Sequence, residues 1–345
     1  MTQITPDDMA ACRAMIATGS LSFHTASRAL PARVRDPALA LYAFCRVADD
    51  EVDEGPKGAA QKAAAVLRLR DRLDAIYAGR PRANPADRAF AAVVDQFDMP
   101  RVLPDALLEG LAWDSLERRY ASLSDLQSYA ARVAAAVGAM MCVLMRVREA
   151  DALARACDLG LAMQLTNIAR DVGEDARAGR LFLPLDWLAE EGIDPEAFLA
   201  HPAPLPGIRR ITGRLLDRAD HLYWRAGTGI ARLPLDCRMG IYGAGHVYAA
   251  IGGEVRRAGL DSVTRRARTT RGQKLRLLAL SGLEAGLSVA RPVSPRLHAR
   301  PEPEVAFLVQ AATRAPDARA RAGQARSDAL LGVLAQLEAR DRGMV

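Results

Sequence analysis

The sequence predicts an all-α fold, and three observations carry that prediction. Half of the 345 residues are apolar and only 5% are aromatic, with Ala, Leu and Arg abundant. These are strong helix formers, and so much apolar material supports a large core. Helix-start signals recur, with Asp, Asn or Pro just ahead of apolar residues at helical spacing. No alternating apolar and polar series bounded by hairpin turns occurs.

The elements follow in order. In RDPALALYAFCRVADDEVDE, Asp36 is the expected N-cap and Pro37 the first helical residue, and Gly55-Pro56 stops the helix. NPADRAFAAVVDQFD and LPDALLEGLAWDSLERRY open in the same manner near Pro85 and Pro104. LSDLQSYAARVAAAVGAMMCVLMRV is one long helix, and EADALARACDLGLAMQLTNIARDVGEDARAG is another that ends near Gly179. Two short helices are expected after Pro184, led by Asp186 and by Asp194-Pro195. The prolines between His201 and Gly207 mark a loop, after which RRITGRLLDRADHLYWRAGTGI and RMGIYGAGHVYAAIGGEVRRAG are helical. RPVSPRLHARPEPE, Arg291 to Glu304, reads as a flexible linker, and the tail beyond it is partly helical with a break at Pro316. No repeat has a fixed period. The expected organisation is one helical domain over residues 1–290, then a linker and partly helical appendage over 291–345.

The net charge of +6 arises from 47 basic against 41 acidic residues. That balance permits contact with anionic lipid or a polyanionic small molecule. No zinc-finger or RNP-type motif is present, so nucleic acid is not an expected partner. Cys12, Cys45, Cys142, Cys157 and Cys237 form no C-x-x-C pair and suit reduced thiols in a cytoplasm. The N-terminus, MTQITPDDMAACR, lacks the basic-then-apolar order of a signal peptide. The longest apolar run, Val133 to Met145, is too short to span a bilayer and reads as a buried core helix.

Two acidic segments carry the candidate chemistry. ADDEVDE, residues 48–54, fits either a D-D-x-x-D or a D-x-x-x-D frame. On a helix, Asp49 and Asp53 project within about 40° of each other, with Tyr42 and Arg46 on the same side and Asp50 and Glu54 turned away. The helix therefore pairs Asp49 with Asp53. Like charges at this spacing repel unless something offsets them. A solvated face is the commoner explanation of a single pair; a divalent cation is the sharper one, and Mg²⁺ prefers one or two carboxylates with water and phosphate oxygens. QLTNIARDVGED supplies a second pair. Gln164, Asn167, Asp171 and Asp175 fall inside a stripe about 80° wide, flanked by the apolar Leu161, Leu165, Ile168 and Val172. Two amides and two aspartates in register suit oxygen ligands of a metal and their neighbours. Two such pairs facing across a cavity would bind a metal-chelated polyanion, most naturally a diphosphate. Arg46, Arg170 and Arg180 lie close enough in sequence to help hold its oxygens.

These segments resemble the squalene/phytoene synthase family, which makes C30 or C40 isoprenoids by joining two prenyl diphosphates head to head. The resemblance runs from about Thr18 to about Lys274. SLSF, Ser20 to Phe23, resembles the family's early substrate-binding segment; LYAFCRVADDEVDE is similar to its first acidic motif, in the D-x-x-x-D frame. YAARVAAAVG, Tyr129 to Gly138, is similar to its central segment, with Ala135 where the pattern usually has Gly. QLTNIARDVGEDARAGRLFLP is similar to its second acidic motif, and the segment from Tyr248 to its late helix with a basic exit. Head-to-tail elongation enzymes usually carry D-D-x-x-D in both regions, whereas here the second is D-V-G-E-D.

The resemblance implies a single-domain isoprenoid-synthase-type bundle around a central cavity. It implies Mg²⁺, or Mn²⁺, bound by Asp49, Asp53, Asn167, Asp171 and Asp175, with the four aspartates and Tyr129 catalytic. Ser20, Ser22, Phe23, Tyr42, Arg46, Gln164, Asn167, Arg170, Arg180 and Tyr248 would bind substrate. The implied chemistry is ionisation of an allylic diphosphate, attack by a second prenyl diphosphate, a cyclopropyl diphosphate intermediate, and a rearrangement ended by proton loss or by NADPH. The interior should then be a deep apolar tunnel, walled in part by Val133 to Met145, with Phe23, Tyr42, Tyr129 and Tyr248 as lining or cation–π candidates. No well-placed general base stands out, His24 and His246 included, and the released diphosphate can take the proton in this family. No G-x-G-x-x-G follows a strand, so NADPH is not expected and the reading tilts to two geranylgeranyl diphosphates. A squalene or dehydrosqualene synthase using farnesyl diphosphate, and a non-catalytic scaffold relative, remain the alternatives. A cytoplasmic location, peripheral membrane contact and a downstream desaturase as partner are further expectations.

Overall fold

The computed structural model describes residues 4–19, 29–53 and 59–313, except for the side chains of 16–19, 49, 51–53 and 59–64. Every regular element among the described residues is helical: α1 (Pro6–Gly19), α2 (Ala32–Asp53), α3 (Ala59–Tyr77), α4 (Pro85–Phe97), α5 (Val102–Ser115), α6 (Leu123–Leu144), α7 (Ala150–Arg177), α8 (Leu185–Glu190), α9 (Pro195–Ala200), α10 (Pro206–Ile230), α11 (Leu235–Arg257), α12 (Arg271–Leu287) and α13 (Ala306–Thr313). Several starts are those the sequence announces. Asn84 caps α4 ahead of Pro85, and Asp194 caps α9 ahead of Pro195.

The start of α2 differs from expectation. Asp36 is not its N-cap and Pro37 lies inside it; the helix begins at Ala32, where the Val34 and Arg35 amides donate to the Pro31 carbonyl at 2.9 and 2.8 Å. An internal proline forfeits one backbone bond and crowds the preceding turn. Burial of Leu30 and Val34 in the core offsets this, and Asp36 pairs instead with Arg13 at 3.2 Å.

α7 is the axis of the bundle. Leu153, Leu161, Leu165, Ile168 and Val172 are buried, and the helix packs on α6, α10, α11 and α13. It approaches α6 closely because residue 160 is glycine: a Cβ there would stand 2.6 Å from Ala135 Cα and 2.7 Å from the Ala134 carbonyl oxygen. Small residues on both sides of that contact allow it. α6 makes a π-helical turn over Ala131–Ala135 beside this crossing. By length and composition this 22-residue helix could cross a membrane, but 67% of its apolar window is buried within the bundle, as the core-helix reading expects.

Residues 291–304 are not a free linker where the structure describes them. They form two 3₁₀ turns, Pro295–His298 and Pro303–Val305, that lead into α13. The fully buried Arg155 donates to the carbonyls of Arg296, Leu297 and Ala299 at 2.8, 3.0 and 3.0 Å, and to Asp158 at 2.7 Å. Arg225 bridges Asp158 and Glu302 at 2.9 and 2.7 Å. Proline and charge read as a solvated linker, yet these carbonyls find their donor on a distant helix, and Leu297, Val305 and Leu308 are buried beside it.

Candidate active site

The polar stripe of α7 forms as its spacing requires. Gln164, Asn167, Asp171 and Asp175 are partly exposed, while Leu161, Leu165, Ile168 and Val172 between them are buried. Arg170 wraps onto Asp171, donating from Nε at 2.7 Å. Asn167 hydrogen-bonds Tyr248, yet its Oδ1 is buried without a partner. Burial and the neighbouring Asp171 push the Asp175 carboxyl up to about 7.

This donor set fits a hard divalent cation. All candidate ligands are oxygens, two of them carboxylate, and the orphaned Asn167 Oδ1 costs free energy until something satisfies it. The folded value of Asp175 lies above its ordinary 3.8. In the metal-free chain, ionising it therefore costs stability as pH rises from about 4 through 7, and a cation that needs the ionised form must displace a proton below 7. Apparent metal affinity, followed by calorimetric Mn²⁺ or Mg²⁺ titration, is expected to rise toward about tenfold per pH unit up to about pH 7 and then level. A flat affinity between pH 5.5 and 7.5 would contradict this.

A loop delivers a second cation to Asp171. Arg266 donates to it from Nε at 2.9 Å and also reaches Glu174 at 3.1 Å. The loop comes this close because residue 173 is glycine. The Gly173 amide donates to the Ser262 carbonyl at 2.9 Å, and a Cβ there would stand 2.2 Å from the Val263 carbonyl oxygen. Arg177 fixes the same carbonyl at 3.0 Å, and Asp261 ties the turn through the amides of Val263 and Thr264 at 3.1 and 2.9 Å. Gly173→Ala should push the loop away, cost about 1–3 kcal/mol of stability and lower kcat/KM tenfold or more by displacing Arg266. Thermal unfolding with steady-state kinetics checks this, and unchanged kinetics would release Arg266 from the site.

Two apolar cavities meet at the stripe. One, of about 320 Å³, runs along α7 from Asn167 and Gln164 past Met163, Leu159 and Ala156 to Arg155 and Ala152, with Tyr248 at the polar end and Lys274 and Leu278 of α12 in its wall. The other, of about 350 Å³, lies between α2, α5 and α6 and is lined by Leu41, Tyr42, Arg46, Asp114 and Tyr129. Val133, Val137 and Met141 of α6, with Gln164, line both. Tyr129 is buried, donates to Asp114 at 3.0 Å and packs at a tilt against the rings of Tyr120 and Phe182. Burial and the Asp114 charge hold its hydroxyl well above the ordinary tyrosine range, so it is a donor and a wall rather than a base.

The structure thus places Gln164, Asn167 and Tyr248 in the wall of the first cavity, with Arg170, Asp171 and Asp175 on the next turns of α7, and Tyr42, Arg46 and Tyr129 along the second cavity. Arg180 is close enough to act electrostatically on both Asp175 and Tyr129. Arg46 pairs with Asp50 at 2.6 Å. Asp49 and Asp53 follow Cys45, which lines the second cavity, by about one and two turns of α2; their side chains lie outside the described ones. Ser20, Ser22, Phe23 and His24 lie outside the described residues altogether. His246 joins α11 to α12 through Ser281 and Glu284, at 2.8 and 3.1 Å. Sequence reasoning missed Arg266, Lys274 and Asp114. Two of them sit in a long basic run, and nothing local marks any of the three.

The Squalene/phytoene synthase family model matches residues 16–273. A phytoene synthase of Rhodobacter capsulatus is 67% identical over 339 residues, 98% of each chain. A phytoene synthase of Cereibacter sphaeroides is 64% identical, over 97% of this chain and 95% of the other. Among solved structures, a dehydrosqualene synthase in complex with ligand superposes with a TM-score of 0.73 at 29% identity, covering 81% of this chain and 97% of that one. The squalene synthase HpnC from Alicyclobacillus acidocaldarius shares the fold, with a TM-score of 0.68 at 24% identity over 73% and 94% of the two chains.

Proposed function

The chain belongs to the squalene/phytoene synthase family, and we infer from that membership that it is a prenyl diphosphate transferase which condenses two geranylgeranyl diphosphates head to head, through a cyclopropyl diphosphate, to phytoene for carotenoid biosynthesis. The near-full-length identity to phytoene synthases carries this conclusion. The geometry supports it: two apolar cavities share Gln164, and from there a polar stripe runs along α7 through Asn167 to Asp171 and Asp175, with the guanidinium groups of Arg170 and Arg266 on Asp171.

Members of this family act with a divalent metal ion, and we assign Mg²⁺ here, held by Asp171, Asp175 and Asn167 on α7 and by Asp49 and Asp53 on α2. Such an ion supplies charge neutralisation for the departing diphosphate. Arg170 and Arg266 present guanidinium forks that suit diphosphate oxygens once Asp171 is shared with a cation. Gln164 lies where the two chains would meet, and Val133, Val137 and Met141 keep them apart below it. The apolar walls exclude water from the allylic cation, and Tyr248 and Tyr129 are aromatic members of those walls. Incubating the purified protein with Mg²⁺ and either C15 or C20 diphosphate, with and without NADPH, tests the reading. Phytoene from the C20 substrate without NADPH is expected; squalene or dehydrosqualene as main product would replace it. We further propose a cytoplasmic location with peripheral membrane contact, and hand-over of the product to a desaturase, because the product is a hydrocarbon.

A further inference from the structure

α12 is apolar on both faces. Its inner face packs on α11, where Leu278 sits so close to Gly243 that a Cβ there would stand 2.8 Å away, and Leu278 and Lys274 wall the apolar tunnel. Its outer face carries Leu275, Ala279, Leu280, Leu283 and Leu287 within an arc of about 140°, interrupted only by Arg276. Leu275 is 69% and Leu283 62% exposed. A leucine-rich helix face belongs against a core or in lipid, and no described residue covers this one. The patch continues through Val289 and Val293 and onto Leu235 and Met239 at the start of α11. Most exposed large apolar side chains among the described residues gather here, which distinguishes a patch from scattered surface leucines.

The rim is basic. Arg265 and Arg268 precede the helix and Arg271 opens it; all three are exposed and have no ion pair among the described residues, and the same holds for Arg276. The nearby carboxylates are already engaged: Glu254 with Arg257, Glu284 with His246 and Arg291.

We propose that this face seats the chain on an anionic lipid bilayer. It rests on the reading above that the product is a hydrocarbon handled beside a membrane. The leucines match the acyl region in chemistry, and the unpaired arginines match phosphate headgroups. A second copy of the chain would set two like-charged rims against each other. Because one helix walls the tunnel with its inner face and meets lipid with its outer face, hydrocarbon can leave the tunnel without crossing bulk water.

The test uses the full chain in flotation with phosphatidylcholine vesicles, with and without phosphatidylglycerol. Wild type is expected to partition at least about tenfold more strongly onto the anionic vesicles. Leu275→Glu/Leu283→Glu should lose that binding by about tenfold or more, while its turnover of detergent-dispersed substrate stays within about twofold. Leu67→Glu/Leu205→Glu, at exposed leucines elsewhere, should bind as wild type does. Equal binding by the first pair and wild type, or no binding by wild type, overturns the proposal. So does loss of a dimer in the first pair without any vesicle binding, which would assign the face to a second copy. Absence of phytoene in detergent would instead sink the reaction assignment and leave the vesicle result standing.

Discussion

Replacing Asp171 by Ala is expected to lower turnover by about a thousandfold or more, with the helical fold and cooperative unfolding retained. The size follows from what this carboxylate joins. It neutralises Arg170 and Arg266 at once, stands in register with Asn167 and Asp175, and raises the neighbouring Asp175 by its charge. On the proposed metal assignment, its loss would remove a ligand supplied by α7, and the two guanidinium groups lose the partner that aims them. The fold survives because the side chain lies on the polar stripe, outside the packed face formed by Leu165, Ile168 and Val172. Circular dichroism, thermal unfolding and product analysis at saturating Mg²⁺ decide the matter. Near-normal turnover would remove the metal assignment.

The second large effect concerns chain length. Ala156 lies along the first cavity eleven positions from Asn167, about 16 Å at the helical rise. A farnesyl chain extends about 14 Å and a geranylgeranyl chain about 19 Å, at roughly 1.25 Å per bond. A bulky side chain at 156 should therefore stop the longer chain and admit the shorter one. Ala156→Phe is expected to reduce the preference for C20 over C15 diphosphate by about a hundredfold, toward C30 hydrocarbon. Equal supply of both substrates and quantification of C30 and C40 products measures it. An unchanged ratio would place the last isoprene unit in the other cavity.

The all-α class and several helix starts were legible because capping is local: Asn84 and Asp194 act on the turn they precede. The stripe from Gln164 to Asp175 was legible because a helix repeats every 3.6 residues, so spacing alone places its residues on one side. Pro37 misled because its local preference for a first turn yielded to burial of Leu30 and Val34 two turns' length away at most. Residues 291–304 misled because their hydrogen-bond partner, Arg155, is distant in sequence. Arg266 was invisible for the same reason: only the close passage of the loop over Gly173 brings it to Asp171.

By itself the sequence determined the helical class, the polar stripe that sets Asp171 in register with Asp175 and, through its motifs, the family. Periodicity and capping act within a few residues and survive without coordinates. The tertiary structure alone decided which apolar stretches face a cavity, which face the core and which remain outside, since Leu278 and Leu283 are the same residue type on one helix and differ only in what lies across from them. Burial is a relation between distant parts of the chain, and so is the arrival of Arg266 beside Asp171.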